Sequence, residues 1–164
     1  LDTLYEKAIE AAHLTGRERV LDAYCGTGTI GICLADKALN VTGVEIERSS
    51  YEDAKTNARL NNVKNIFFRN EDATEFIAQT KGNFDVVVLD PPRKGTTPQF
   101  VRAVLRMAPS RIVYVSCDPA TLGRDLGLFS AAYDVTSIQG VDMFPTTHHV
   151  ETVCELSLRN ADKH

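Results

Sequence analysis

The sequence has no long apolar run. Its longest uninterrupted apolar stretches are four residues, as in Val86-Val87-Val88-Leu89, whereas a membrane-spanning helix needs about 20. No basic segment followed by an apolar one opens the chain, so a secretory leader is not expected. The four cysteines, Cys25, Cys33, Cys117 and Cys154, form no Cys-x-x-Cys pair and have no regular spacing. That argues against a zinc site or a disulfide framework and fits a reducing cytoplasm, with no metal expected. Charge of one sign is also scarce: the net charge is -4, which does not announce a polyanionic partner. Neither an internal repeat nor a low-complexity linker divides the chain.

What remains is the make-up of one globular domain over residues 1–164, with 43% hydrophobic and 24% charged residues, both near globular averages. A chain of this length hides roughly 70% of the surface its unfolded form exposes, enough for one ordinary core. It begins with Leu rather than Met, so a piece of something longer is expected. The charge is unevenly spread. Between Arg93 and Arg124 stand six basic residues (Arg93, Lys94, Arg102, Arg106, Arg111, Arg124) against one acid, Asp118. Such a run makes either solvated helix faces or a patch for a polyanion.

Short β-type runs at 20–24, 41–45, 66–69, 85–90, 112–116, 134–141 and 150–158 alternate with helical patterns. Runs in the first five places are short and apolar, as expected for strands covered on both faces. Ser50 with Asp53 predicts a capping box for a helix through about Leu60. Thr97-Pro98 and Asp118-Pro119 are N-cap and first-turn signals. Behind the first lies the stripe Phe100, Val101, Val104, Leu105, Ala108, and behind the second Leu122, Leu126, Phe129. The fold class predicted is α/β, a doubly wound, mostly parallel seven-stranded sheet of Rossmann-like type with right-handed crossovers. The segment before the last strand is too short for a crossover helix, so the final two strands should pair as an antiparallel hairpin. A nucleotide-type site is then expected beyond the strands' carboxyl ends.

The motifs fall at those ends. Gly26, Gly28 and Gly31 satisfy G-x-G-x-x-G after the first strand and permit a tight turn with close approach of a ligand to the backbone. Glu45, closing the second strand, suits a pair of ribose hydroxyls. Dinucleotides and S-adenosylmethionine share both features. The remaining acids favour the second: Asp22 at the end of strand one would attract a sulfonium and repel a pyrophosphate. Asp72 after strand three is placed to hold an adenine amino group, or else to cap a helix. Asp90-Pro91-Pro92 ends strand four, where an aromatic in the next position would suit amine methylation. Here Arg93-Lys94-Gly95 follows, which suits a different acceptor. Cys117 stands just before a helix start, where orphan N–H groups and the dipole favour a thiolate, although a lone strand-end cysteine is ordinarily a small buried hydrophobe.

Three blocks carry a family resemblance: Asp90-Pro-Pro-Arg-Lys-Gly, Tyr114-Val-Ser-Cys117-Asp-Pro-Ala-Thr-Leu-Gly-Arg-Asp125, and Asp142-Met-Phe-Pro-Thr-Thr-His-His-Val-Glu151-Thr-Val. In order and spacing they resemble the RNA uracil-C5 methyltransferases, which make 5-methyluridine in transfer and ribosomal RNA. The resemblance implies an S-adenosylmethionine-dependent enzyme acting on RNA, with Cys117 as nucleophile toward carbon-6 of uracil and Glu151 as general base. It implies cofactor contacts from Tyr24, Thr29 and Glu45, joining Asp22, Gly26, Gly28 and Asp72, and puts Asp90 where cofactor meets base. Pro92, Arg93 and His149 are read as substrate-side residues. His148 and His149 are neighbours that point apart on an extended segment, so a shared ion is not expected. Glu155 is the decoy for Glu151. Arg124 and Asp125 are read as an ion pair. Relatives of this kind carry an N-terminal RNA-binding β-barrel, often a cysteine-bound iron–sulfur cluster, and a Phe-x-Gln-x-Asn-type stretch, all upstream of the present start. A monomer in the cytoplasm, not bound to membrane, is expected. The competing readings are an amino-directed nucleic-acid methyltransferase and a non-catalytic nucleotide-binding module.

Overall fold

The structure is a computed structural model that describes residues 3–142 and 150–159. In chain order it contains α1 (Thr3–Ala12), β1 (Arg19–Ala23), α2 (Thr29–Ala35), β2 (Asn40–Val44), α3 (Arg48–Leu60), β3 (Ile66–Arg69) and α4 (Ala73–Gln79). Then follow β4 (Val86–Leu89), α5 (Pro98–Met107), β5 (Arg111–Ser116), α6 (Pro119–Phe129), β6 (Tyr133–Asp142) and β7 (Val150–Leu158). The strands form one sheet in the order β3-β2-β1-β4-β5-β7-β6. The pairs from β3 through β5 are parallel, and β7 is antiparallel to both β5 and β6. The doubly wound sheet and the final hairpin are as the sequence predicts. β7 inserts between β5 and β6, which brings the start of the last strand beside the end of β5.

Alternation along the central strands divides the core in two. Leu21, Ala23, Val87, Leu89, Ile112 and Tyr114 face α4, α5 and α6. Val20, Val86, Val88, Val113, Val115 and Val153 face α1 and α2. Burial on both faces holds for β1, β4 and β5. It fails for β3, an edge strand whose Phe67 is largely exposed.

The proline-led caps form as predicted. Thr97 Oγ1 accepts from Phe100 N–H at 3.0 Å, and Asp118 Oδ1 accepts from Ala120 and Thr121 N–H at 2.9 and 3.2 Å. Each cap contributes about 1 kcal/mol. The expected capping box at Ser50 does not form. α3 starts at Arg48 with Glu47 as N-cap and no side-chain cap bond, because the backbone N–H of Glu47 is already tied to Glu45 Oε2 at 2.8 Å, fixing the helix entry earlier. Among the described residues no helix is long and apolar enough to cross a membrane.

Candidate active site

The first turn of the site is built by strained backbone. Tyr24, Gly26 and Gly28 have φ of 60, 56 and 88°, all left-handed, a conformation cheap only for glycine. Gly28 is the N-cap of α2, and Thr29 is its first residue. Gly31 lies against Asp22: a Cβ there would meet Asp22 Oδ2 at 2.8 Å. Glu45, just past β2, closes the loop: its Oε1 accepts from Gly26 N–H and its Oε2 from Glu47 N–H, both at 2.8 Å. Each oxygen keeps a lone pair for a ligand hydroxyl.

Asp22 is 1% exposed, and its Oδ2 has no hydrogen-bond partner. A buried carboxylate oxygen without a partner is costly. Burial first, then the neighbouring Asp90 and Glu45, push this carboxyl up to about 8, with Gly31 N–H pulling the other way. Asp90 opens onto the cleft, yet burial of its surroundings and the charge of Glu151 push it up to about 7. The acids Glu45, Asp22, Asp90 and Glu151 thus form one electrostatically linked row across the strand ends.

Two adjoining hollows lie along that row. The smaller, about 190 Å³, is lined by Asp22, Tyr24, Gly26, Thr29 and Asp90, with Tyr5 of α1. A larger one of about 470 Å³ is lined by Glu45, Asp72, Asp90, Pro92 and Lys94, among others. Tyr24 and Asp90 border both. Asp72 lines the larger hollow and also caps α4, accepting from Glu75 N–H at 3.0 Å. Tyr24 is held by a hydrogen bond shared between its hydroxyl and Thr96 Oγ1 at 2.9 Å. Pro92 lines the larger hollow, whereas Arg93 is exposed and does not.

Cys117 is partly buried, one residue past the end of β5. The β5–β7 ladder runs from Arg111↔Ser157 to Ser116↔Thr152. Cys117 and Glu151 each lie one residue beyond that last pair, at the same edge of the sheet. Within the strands Asp22 shares a face with Val88 and Glu151 with Val153, while Asp90 and Cys117 follow directly on the ends of β4 and β5. The orphan N–H groups expected beside Cys117 are engaged otherwise: Asp118 takes two of them. Glu155 is removed as a rival base. It bonds His13 Nε2, Arg111 Nη1 and Thr136 Oγ1 at 2.8, 2.9 and 2.7 Å. His148, His149 and the rest of 143–149 lie outside the described residues. Among the described residues no group of three or more His, Cys, Asp or Glu could hold a metal ion.

Sequence reasoning missed Thr96 and Asp125 as parts of the site's frame. Asp125 is fully buried, and its only signal was an acid one turn from Leu122 and Phe129 on a helix otherwise packed by apolar residues.

Curated relatives resemble this chain over nearly all of its length. An uncharacterized RNA methyltransferase of Listeria innocua is 47% identical over 162 residues, 96% of this chain and 36% of its own. One from Clostridium tetani is 52% identical over 156 residues, 93% of this chain and 34% of its own. The chain therefore spans about a third of the length of the curated relatives it matches. Among solved structures, the Pyrococcus abyssi tRNA (uracil-54, C5)-methyltransferase in complex with S-adenosyl-L-homocysteine superposes with a TM-score of 0.82 at 37% identity, covering 93% of this chain and 38% of that one. Residues 2–159 match the family described as tRNA (uracil-5-)-methyltransferase, and with that match the chain belongs to this family.

Proposed function

We propose that this chain is the catalytic domain of an S-adenosylmethionine-dependent RNA methyltransferase that methylates carbon-5 of a uridine in ribosomal or transfer RNA. The observation that carries the reading is the antiparallel entry of β7 beside β5, whose last pair, Ser116↔Thr152, leaves Glu151 and Cys117 each one residue beyond it at the same edge of the sheet. The residues present fit the cofactor. Asp22 offers a buried carboxylate oxygen still lacking a partner, which a cationic ligand satisfies. Glu45 and Asp72 offer acceptors for ribose hydroxyls and an adenine amine. When bound, S-adenosylmethionine supplies an electrophilic methyl group.

Carbon-5 of uracil is a poor nucleophile. The Cys117 thiolate adds to carbon-6, forming a C–S bond and moving the ring electrons onto the carbonyl oxygen as an enolate. Carbon-5 is then electron-rich and takes the methyl group in line, provided the pyrimidine is held in near-attack geometry. Glu151 removes the carbon-5 proton, the double bond re-forms, and the C–S bond breaks to return the thiolate. Asp90, between Asp22 and Glu151 in the row, stands where the methyl donor meets the base. Pro92 and Arg93 belong to the acceptor side, as does His149. The target base must leave its stack to reach Cys117, so a loop uridine is the substrate that fits.

The test is RNA carrying 5-fluorouridine at the target position. Fluorine cannot be removed as a proton is, so a denaturation-resistant protein–RNA adduct is expected, with its mass raised by one methyl group. An amino-directed methyltransferase gives no such adduct. Glu151→Gln is expected to trap the adduct on ordinary uridine RNA: methyl transfer in the first turnover persists while steady-state turnover falls by about 100- to 10,000-fold. Free turnover of that variant would remove Glu151 from the mechanism.

A further inference from the structure

α6 does more than follow Cys117. Asp125, on its buried face, is 0% exposed. Its Oδ2 accepts from the Tyr114 hydroxyl at 2.5 Å and from Thr96 N–H at 3.0 Å. Its Oδ1 accepts from Arg124 Nε and Nη2 at 3.1 and 3.0 Å. The same Arg124 Nη2 reaches Lys94 O at 2.9 Å and Thr96 O at 3.1 Å. Thr121 Oγ1, one turn earlier, donates to Arg93 O at 2.9 Å. Backbone groups of three residues in loop 92–97 are thus tied to one helix. That helix begins two residues after Cys117.

The fit under the loop is close. Gly95 has a φ of +81°, and a Cβ there would lie 2.5 Å from Arg124 Nη2 and 2.7 Å from Asp125 Oδ2. On the opposite side Thr96 Oγ1 bonds Tyr24, which borders both hollows. For stability alone a charge is a poor choice at this depth: an apolar side chain beside Leu122 and Phe129 avoids the desolvation cost. What the ion pair adds is direction, since every bond it makes outside β5 goes to the loop that carries Pro92 and Lys94.

We infer that Arg124 and Asp125 are positioning residues that hold the acceptor-side loop 92–97 in register with Cys117, and so govern capture of the pyrimidine rather than uptake of the methyl donor. This rests on the reading above that Cys117 attacks a uracil. A rigid helix that starts just after the thiol and ties down the loop keeps their separation fixed. Loss of the tether lets the loop drift, and a misplacement of about 1 Å costs about 100-fold in rate.

The test uses the whole gene product that carries this chain, with three readouts: the rate of adduct formation on 5-fluorouridine RNA, the affinity for S-adenosylhomocysteine, and the thermal midpoint. Arg124 is half exposed, so Arg124→Ala opens no cavity, and Asp125 keeps its Tyr114 and Thr96 donors. The variant is expected to form adduct about 100-fold more slowly while its S-adenosylhomocysteine affinity stays near the wild-type value; its thermal midpoint falls, because the buried Asp125 Oδ1 loses its Arg124 donors. Arg124→Lys restores part of the rate, because one ammonium cannot serve Asp125 and both carbonyls together. Gly95→Ala, which wedges the loop off the pair without altering charge, is expected to repeat the Arg124→Ala pattern. Gly127→Ala, on the same helix with open space around the new methyl, is expected to match wild type in all three. Adduct formation at the wild-type rate in Arg124→Ala overturns the inference, as does a parallel fall in rate and ligand affinity. If the wild-type protein itself forms no adduct, it is the reading of Cys117 that fails.

Discussion

Cys117→Ala is expected to abolish methyl transfer, with a loss of at least about 10,000-fold, while S-adenosylhomocysteine binding stays within a few-fold of wild type. The size of the effect follows from the chemistry. Without the carbon–sulfur bond the pyrimidine never becomes an enolate, and neither the methyl donor's position nor Glu151 makes up for an unactivated carbon-5. Selectivity follows from the geometry, since Cys117 lines neither the hollow around Asp22 nor the one around Glu45. Transfer assays and calorimetry on the same preparation check both halves. A variant that keeps full transfer would end the covalent mechanism. One that loses cofactor binding as well would mean that the thiol is a packing residue.

The family's chemistry places strict demands on a fold, and this sheet meets them by its winding. Five parallel strands end together at one edge, and β7 starts at that same edge because it runs antiparallel to β5. Asp22, Asp90, Cys117 and Glu151 therefore gather at one edge of the sheet. A parallel seventh strand would place its first residue at the far end of the sheet, away from Cys117.

Much of this was legible because local and global signals coincide. The Val-rich runs, Thr97-Pro98 and Asp118-Pro119 each fix an element by short-range chemistry, and each forms where predicted. α1 was less legible. Its buried stripe is Leu4, Ala8, Ala11 and Ala12, and alanine marks a helical face weakly in a periodicity reading although it packs closely against β5 and β7. The start of α3 was misread because Ser50-x-x-Asp53 has the right pattern. A bond from Glu45 to the Glu47 N–H, fixed by the glycine loop, decides the boundary instead. Insertion of β7 beside β5 and burial of Asp125 were invisible for a further reason. Both depend on partners dozens of residues away, Tyr114 excepted, and no local pattern encodes them.

Asp22→Asn is expected to separate stability from binding in opposite directions. In the ligand-free protein Asp22 is pushed up to about 8, against about 3.9 in an unfolded chain. Between those values the folded state holds a proton that the unfolded state has released. The stability tied to that proton is complete below about pH 4 and is lost as pH rises toward 8. Asn has no such proton to lose, so the variant gains on wild type with rising pH, by an amount on the order of a few kcal/mol at pH 9. Urea unfolding at pH 5, 7 and 9 reads this directly, and a constant difference across that range would mean that Asp22 is already ionised in the folded state at pH 5. Binding runs the other way. A cation paired with a buried carboxylate is worth about 3 kcal/mol when one partner is removed, so S-adenosylmethionine affinity should fall roughly 100-fold. The fall should be larger than for S-adenosylhomocysteine, whose sulfur is uncharged. In wild type the preference for the sulfonium grows as pH rises through 8. In Asp22→Asn only the dependence due to Asp90, near 7, survives. Equal losses for both ligands would place the charge of Asp22 at the amino-acid end of the cofactor, and the selection of methyl donor over product would have to come from Asp90.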